Sequence, residues 1–149
     1  MEELMIEHLI KKNIIAIFNG SDKHQWEVVR HSFADEVLLD YSSLSGQPAT
    51  QIKADDIVAA WSGFLPKFQF TLHFLSNFEI YIQGGTAAVF CKGHAVHHLP
   101  NAEGGDVWTV YGTYDFELAK LGEQWKTVSL KFNLLYQDGN LNLPALAAK

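Results

Sequence analysis

Residues Gln69–His98 read QFTLHFLSNFEIYIQGGTAAVFCKGHAVHH. Two runs rich in β-branched and aromatic residues flank Gly84-Gly85, a dipeptide that accepts the positive φ angles of a tight turn, so the stretch predicts a hairpin of two long strands. On the first strand Phe70, Leu72 and Phe74 share one face and Thr71, His73 and Leu75 the other, unless a bulge shifts the phase. Both faces are therefore at least partly covered. His73 is the one polar side chain there without an obvious structural role, and it is either a satisfied core imidazole or the working group of a pocket.

Upstream of the hairpin the pattern is helical. Ile6, Leu9, Ile10, Asn13, Ile14 and Ile17 recur at helical spacing, which predicts an amphipathic helix over 2–18 stopped by Asn19-Gly20. A second helix is expected to begin at Ser21-Asp22, with Trp26, Val29, Arg30 and Phe33 on one face. Asp22 suits its N-cap, and Gln25 three residues on completes a capping box. Ala34-Asp35-Glu36 ends that helix, Val37–Tyr41 reads as a short strand and Ser42–Thr50 as a loop. A third helix runs from Lys53 or Ala54 to Leu65, where Pro66 forbids continuation.

Downstream the pattern stays extended. A loop over 99–106 is rich in Pro, Asn and Gly, and Val107–Leu118 places Trp108, Val110, Gly112, Tyr114, Phe116 and Leu118 on an inward face. Gly122-Glu123 turns the chain into a last strand, Trp125–Tyr136, and residues 140–149 read as a lid or a loose tail. Helices first and long strands afterwards give an α+β class: a cone-shaped, curved antiparallel sheet packed on three N-terminal helices. Gly93, Ala95 and Gly112 leave room on the inner face, so the cone is expected to enclose a pocket.

Length and composition narrow the partners. A chain of 149 residues suits one domain spanning 1–149. A formal net charge of −6, with 11 scattered Lys and Arg, supplies no basic patch for nucleic acid or an anionic membrane surface. No segment is long and apolar enough to span a bilayer. Met1-Glu2-Glu3 lacks the basic start of a secretory signal, and the single Cys91 forms no intramolecular disulfide, so a reducing, cytoplasmic setting is expected. Exposed apolar positions on a curved sheet point to a homo-oligomer.

The cluster Gly93-His94-Ala95-Val96-His97-His98 is a weak metal motif. His97 and His98 point to opposite faces, and His94 and His98, which share one, stand roughly 13 Å apart along a strand. No metal is expected. His97 shares its face with Ala95 and Gly93, so it either reaches the mouth of the cavity or forms a solvated strand end.

Asp22 four residues before Trp26, an ungapped run to Leu39-Asp40-Tyr41, Thr71-Leu72-His73-Phe74 on a strand and Trp125-Lys126 together resemble the SnoaL-like members of the nuclear-transport-factor-two-like superfamily. The pattern is most similar to scytalone dehydratase, the bile-acid dehydratases and a hexachlorocyclohexane dehydrochlorinase. The resemblance implies that Asp22 and His73 are a catalytic pair and that Tyr41 holds a substrate carbonyl. Three positions depart from it. Ser21 stands where scytalone dehydratase has a tyrosine, Gly112 and Tyr114 replace a polar Ser and Asn, and a second histidine is matched by His97 or His94.

For such a set the expected chemistry is loss of water next to a carbonyl of a small apolar or cyclic substrate, without metal or organic cofactor. His73 would be the base, Asp22 its orienting carboxylate, and Tyr41 and Tyr114 the donors to the carbonyl oxygen, with His97 and Ser21 as further ligand contacts. An isomerase or cyclase could use the same base. In the other class, a non-catalytic ligand-binding or assembly module, Asp22 only caps a helix and His73 only fills a core.

Overall fold

The first helix is longer than its sequence signals suggest. In the computed structural model, which describes residues 1–149, α1 runs over Glu2–Asp22, straight through Asn19-Gly20. Gly20 is there for proximity: a Cβ on it would lie 2.8 Å from Val29 Cγ2, so its missing side chain lets the next helix cross closely. The stop comes at Lys23-His24. His24 takes a left-handed φ of 58°, and Gln25 N–H donates to Gly20 O at 2.7 Å, which closes the helix end. Asp22 is thus the last residue of α1, not the N-cap of a second helix, and the expected capping box does not form. The second helix, α2, covers Trp26–Ser32 with Gln25 before it.

Strand β1 (Phe33–Asp40) follows directly, taking Ala34-Asp35-Glu36 into the sheet. The expected loop begins with a short helix, α3 (Ser42–Ser45), and its last residue opens an edge strand, β2 (Thr50–Lys53), that runs up to the next helix. Helix α4 (Ala54–Ser62) ends sooner than expected, and Pro66 lies inside a 3₁₀ turn, Leu65–Lys67. The hairpin is β3 (Phe70–Gln83) and β4 (Thr86–His98), turning at Gly84-Gly85, and β5 (Val107–Leu121) and β6 (Gln124–Gly139) complete the sheet. Residues 140–149 are neither lid nor loose tail. Helix α5 (Leu143–Ala147) docks through fully buried Leu143, and Asn140 Nδ2 donates to the carbonyls of Glu103 and Gly105.

The six strands stand in the order β2-β1-β6-β5-β4-β3. Every neighbouring pair is antiparallel except β1 with β6, which is parallel, so the curved sheet is mixed rather than purely antiparallel. This parallel pairing lets the helical N-terminal third return to the sheet. Ile10, Ile14, Ile17 and Phe18 of α1 pack into one core with Val37, Phe116, Leu118 and Leu130 from the strands. Asn13 ties the layers together. Its Nδ2 donates to Ser32 O and Trp125 O at 2.9 and 3.0 Å, and its Oδ1 accepts from Thr127 Oγ1 at 2.8 Å.

The alternation along β3 decides where His73 points. Thr71 is buried and His73 and Leu75 are partly buried, whereas Phe70, Leu72 and Phe74 face outward and are 41–48% exposed. One extra residue between Ser76 and Glu79, with Asn77 at φ 57°, then moves the inward set to Phe78, Ile80 and Ile82. His73 precedes that bulge and keeps the inward phase.

Candidate active site

Asp22 is held by β3 alone. Its Oδ1 accepts from Thr71 Oγ1 at 2.9 Å, its Oδ2 accepts from the His73 backbone N–H at 2.8 Å, and its Oδ1 lies 2.7 Å from His73 Nδ1. A carboxylate at a helix C-terminus faces the negative end of the macrodipole, so local helix stability does not explain this residue. Three donors from one strand offset that penalty and lock the carboxylate against the imidazole. The side chains of His73 and Asp22 are only 12% and 11% exposed.

With Nδ1 turned to Asp22, His73 presents Nε2 to a cavity of about 180 Å³. His73, Ala95, His97, Val110, Trp108 and Tyr114 line its sheet side, Phe18 and Ser21 come from α1, and Tyr41, Leu44, Trp61, Phe64 and Leu65 cover it. Of the six residues singled out in the sequence, Ser21, Tyr41, His73, His97 and Tyr114 meet in this cavity, and Asp22 stands behind His73. His97 is the histidine of its cluster that faces inward, 5% exposed, while His94 and His98 stack on Phe74 and Phe70 across the outer face. Ser21 Oγ donates to Ile17 O at 2.7 Å, so toward the cavity it is an acceptor. Thr71 was not singled out, although its position two residues before His73 puts it on the same face. The covering aromatics Trp61 and Phe64 carry no local signal of that role.

Burial governs the protonation of the polar lining. It pushes the Tyr41 phenol above its ordinary value, partly offset by interaction with the Tyr114 hydroxyl, and it pushes Tyr114 well above, helped by nearby Tyr41, Cys91 and Asp22. Both phenols remain protonated donors at neutral pH. Burial lowers His97 to about 4, against the opposing effect of its hydrogen bond to Trp108 O.

Gly93 and Gly112 make room differently from expectation. A Cβ on Gly93 would lie 2.5 Å from the Tyr114 ring, and one on Gly112 would lie 2.2 Å from Asn133 O and 2.8 Å from the Phe132 ring. The space these glycines release is filled by the aromatic wall, and only Ala95 of the three small residues borders the cavity. Gly93→Ala therefore displaces Tyr114 and is expected to lower unfolding stability by about 1–3 kcal/mol, the usual penalty of overpacking, in urea titrations. An undiminished midpoint would show that the Tyr114 ring is not seated on Gly93.

A larger groove of about 650 Å³ between α2 and β6 is open and carries cations, but these are committed within the chain. Arg30 bonds Asp35 and Asp55 at 2.8 and 2.6 Å, and Lys126 Nζ donates to His31 O. No helix is long and apolar enough to cross a membrane.

Comparisons with known proteins agree with this architecture. The structure superposes on the Kfla4162 protein from Kribbella flavida with a TM-score of 0.87 at 24% identity, covering 96% of this chain and 97% of that one. A protein named as a candidate scytalone dehydratase from Novosphingobium aromaticivorans DSM 12444 gives a TM-score of 0.78 at 18% identity, over 93% and 89% of the two chains. The hexachlorocyclohexane dehydrochlorinase LinA-type3 from Novosphingobium barchaimii LL02 gives 0.75 at 15% identity, over 93% and 92%. At these identities the likeness is one of fold. No curated protein sequence matches the chain. The model of the SnoaL-like domain matches residues 2–131, and with a match over most of its length the chain belongs to the SnoaL-like domain family.

Proposed function

We propose that this chain is a lyase that removes water from carbons next to the carbonyl of a small cyclic compound, with His73 as the base. The observation that carries the reading is the 2.7 Å contact of Asp22 Oδ1 with His73 Nδ1 beside a cavity lined by two protonated phenols. Neutral His73 donates from Nδ1 to the carboxylate and keeps a lone pair on Nε2. Nε2 takes the proton from the carbon beside the carbonyl, and the electron pair moves onto the carbonyl oxygen as Tyr41 and Tyr114 donate hydrogen bonds to it. The enolate then reforms the carbonyl, a carbon–carbon double bond forms, and the bond to the hydroxyl one carbon further breaks. That hydroxide leaves as water with the proton returned by His73. Asp22 acts through His73: it orients the ring and steadies the imidazolium between the two transfers.

The test uses cyclic β-hydroxy ketones of one and two rings, with the conjugated enone product followed by its absorbance. Asp22→Asn presents an amide to Nδ1, which disturbs both the tautomer and the imidazolium, and is expected to lower kcat about a hundredfold with a smaller change in KM. An unchanged kcat in a folded Asp22→Asn variant, or a product with the water retained, defeats the proposal. The second outcome points to an isomerase using the same base.

A further inference from the structure

The register of the sheet separates the polar groups of the cavity. On β4, Cys91 pairs with Tyr114 and His97 pairs with Trp108, so the two positions lie six residues, or about 20 Å, apart along the strands. Between them the floor is Ala95 paired with Val110, small and apolar, with His73 beside Ala95 on β3. Tyr114 leans over Gly93 toward that floor from one end. His97 stands at the other, its ring 4.2 Å from Trp108 and 5.2 Å from Phe68 by centroids.

His97 can play one part only. Its Nδ1 donates to Trp108 O at 3.0 Å, which sets the tautomer and leaves a lone pair on Nε2. Nε2 has no partner in the protein and is not sealed off, in a residue that borders the cavity. With burial lowering its pKa to about 4, the ring is neutral at physiological pH and Nε2 accepts hydrogen bonds. The His73 and His97 centroids are 6.2 Å apart with the rings near perpendicular, so His97 is placed to contact a ligand rather than to extend the Asp22–His73 chain.

Size sets what is held inside. A sealed dry cavity of about 150 Å³ in another protein holds one benzene ring; the cavity of about 180 Å³ here opens to solvent on one side, so it encloses about one ring of its ligand and the rest can extend outward. We infer that the cavity holds a six-membered ring carrying an acceptor oxygen toward Tyr41 and Tyr114 and a hydroxyl toward His97, whose Nε2 determines specificity by accepting from that hydroxyl. The inference rests on the reading of this cavity as the substrate site. A ligand without the hydroxyl leaves Nε2 desolvated and unpaired, which is the arrangement that discriminates most strongly between analogues.

Isothermal titration calorimetry on the full chain at pH 7.5 tests this with 4-hydroxycyclohexanone. Its hydroxyl is too far from the carbonyl for β-elimination, so binding is read without turnover. It is expected to bind about tenfold more tightly than cyclohexanone and 4-methoxycyclohexanone, the worth of one net hydrogen bond. In His97→Phe the preference for the hydroxyl falls to about onefold. The same loss is expected in His97→Asn, whose amide is placed to keep the bond to Trp108 O while removing the inward acceptor, should the Phe variant fail to fold. A preference for the hydroxyl that survives in the folded variants overturns the role of His97. Failure of the wild-type chain to bind any of these probes overturns the inference as a whole, while the kcat of Asp22→Asn judges the lyase reading separately.

Discussion

His73→Ala is expected to lower kcat/KM for dehydration of a cyclic β-hydroxy ketone by about a thousandfold or more, within the range that a well-placed general base contributes. The loss is expected in kcat, because Nε2 meets the proton only as the bond to carbon breaks. Stability moves much less. His73 is partly exposed at the edge of the cavity, and its ring contacts Phe18 rather than filling the centre of the core. Removing it leaves the Asp22 carboxylate its bonds to Thr71 Oγ1 and the His73 backbone N–H, both independent of the imidazole. A folded His73→Ala variant with the wild-type rate would remove the base from the mechanism. Adding imidazole to that variant supplies the missing group in diffusible form, and partial recovery that rises with imidazole concentration is the signature that separates lost chemistry from lost structure.

Part of this site was legible in the sequence before the reason for its positions was: Asp22, His73 and the tyrosines were, the roles of Thr71 and the covering aromatics were not. Asp22 was recognisable, but its apparent role as a helix cap rested on reading Asn19-Gly20 as a stop. Glycine after asparagine is a local stop signal, and the close crossing of Val29 over Gly20 is a tertiary fact that no local pattern carries. The real terminator, His24 in a left-handed conformation, has no strong preference that would announce it. Period-two alternation did place His73, Thr71 and the inward face of β5 correctly, because a strand that buries one face leaves only two phases to choose from. For His97 it gave the phase shared with Ala95 and Gly93, but it left open whether that strand end faced the cavity or solvent.

What stayed hidden was long-range. The parallel pairing of β1 with β6 joins residues some ninety positions apart, and nothing in either strand specifies a partner. The glycines on β4 and β5 gave the right region and the wrong content: the room they leave is occupied by Tyr114 and Phe132, because aromatic rings lean along the sheet into the nearest gap. The cover of the cavity by Trp61, Phe64 and Leu65 depends on how α4 and the turn after it return over the sheet. The apolar outer stripe Phe70, Leu72, Phe74 was visible as a pattern, and its exposure was not, because hydrophobicity alone does not say which of two apolar faces is inside.

Lowering the pH is expected to destabilise the protein through His97, and the effect approaches 3 kcal/mol by about pH 4. The folded pKa of about 4 lies below the unfolded value of about 6.5, so well above pH 6.5, as at pH 7.5, almost no proton is bound in either state and stability is unaffected. Between those two values the unfolded chain takes up a proton at His97 that the folded chain refuses, and each pH unit costs about 1.4 kcal/mol. Burial among Phe68 and Trp108 is the cause, only partly opposed by the Trp108 carbonyl, which accepts from Nδ1 in either charge state. Acid acts on the chain as a whole, so the measurement is a difference: urea unfolding of wild type and His97→Asn at pH 7.5 and pH 4.5. His97→Asn is the less stable protein at pH 7.5, where it has lost the packing of the ring. By pH 4.5 the gap is expected to narrow by about 2–3 kcal/mol, since only the wild type still bears the cost of keeping that imidazole uncharged. Parallel stability curves for the two proteins across this range would mean that His97 titrates alike in both states, and that its site is wetter than its burial indicates.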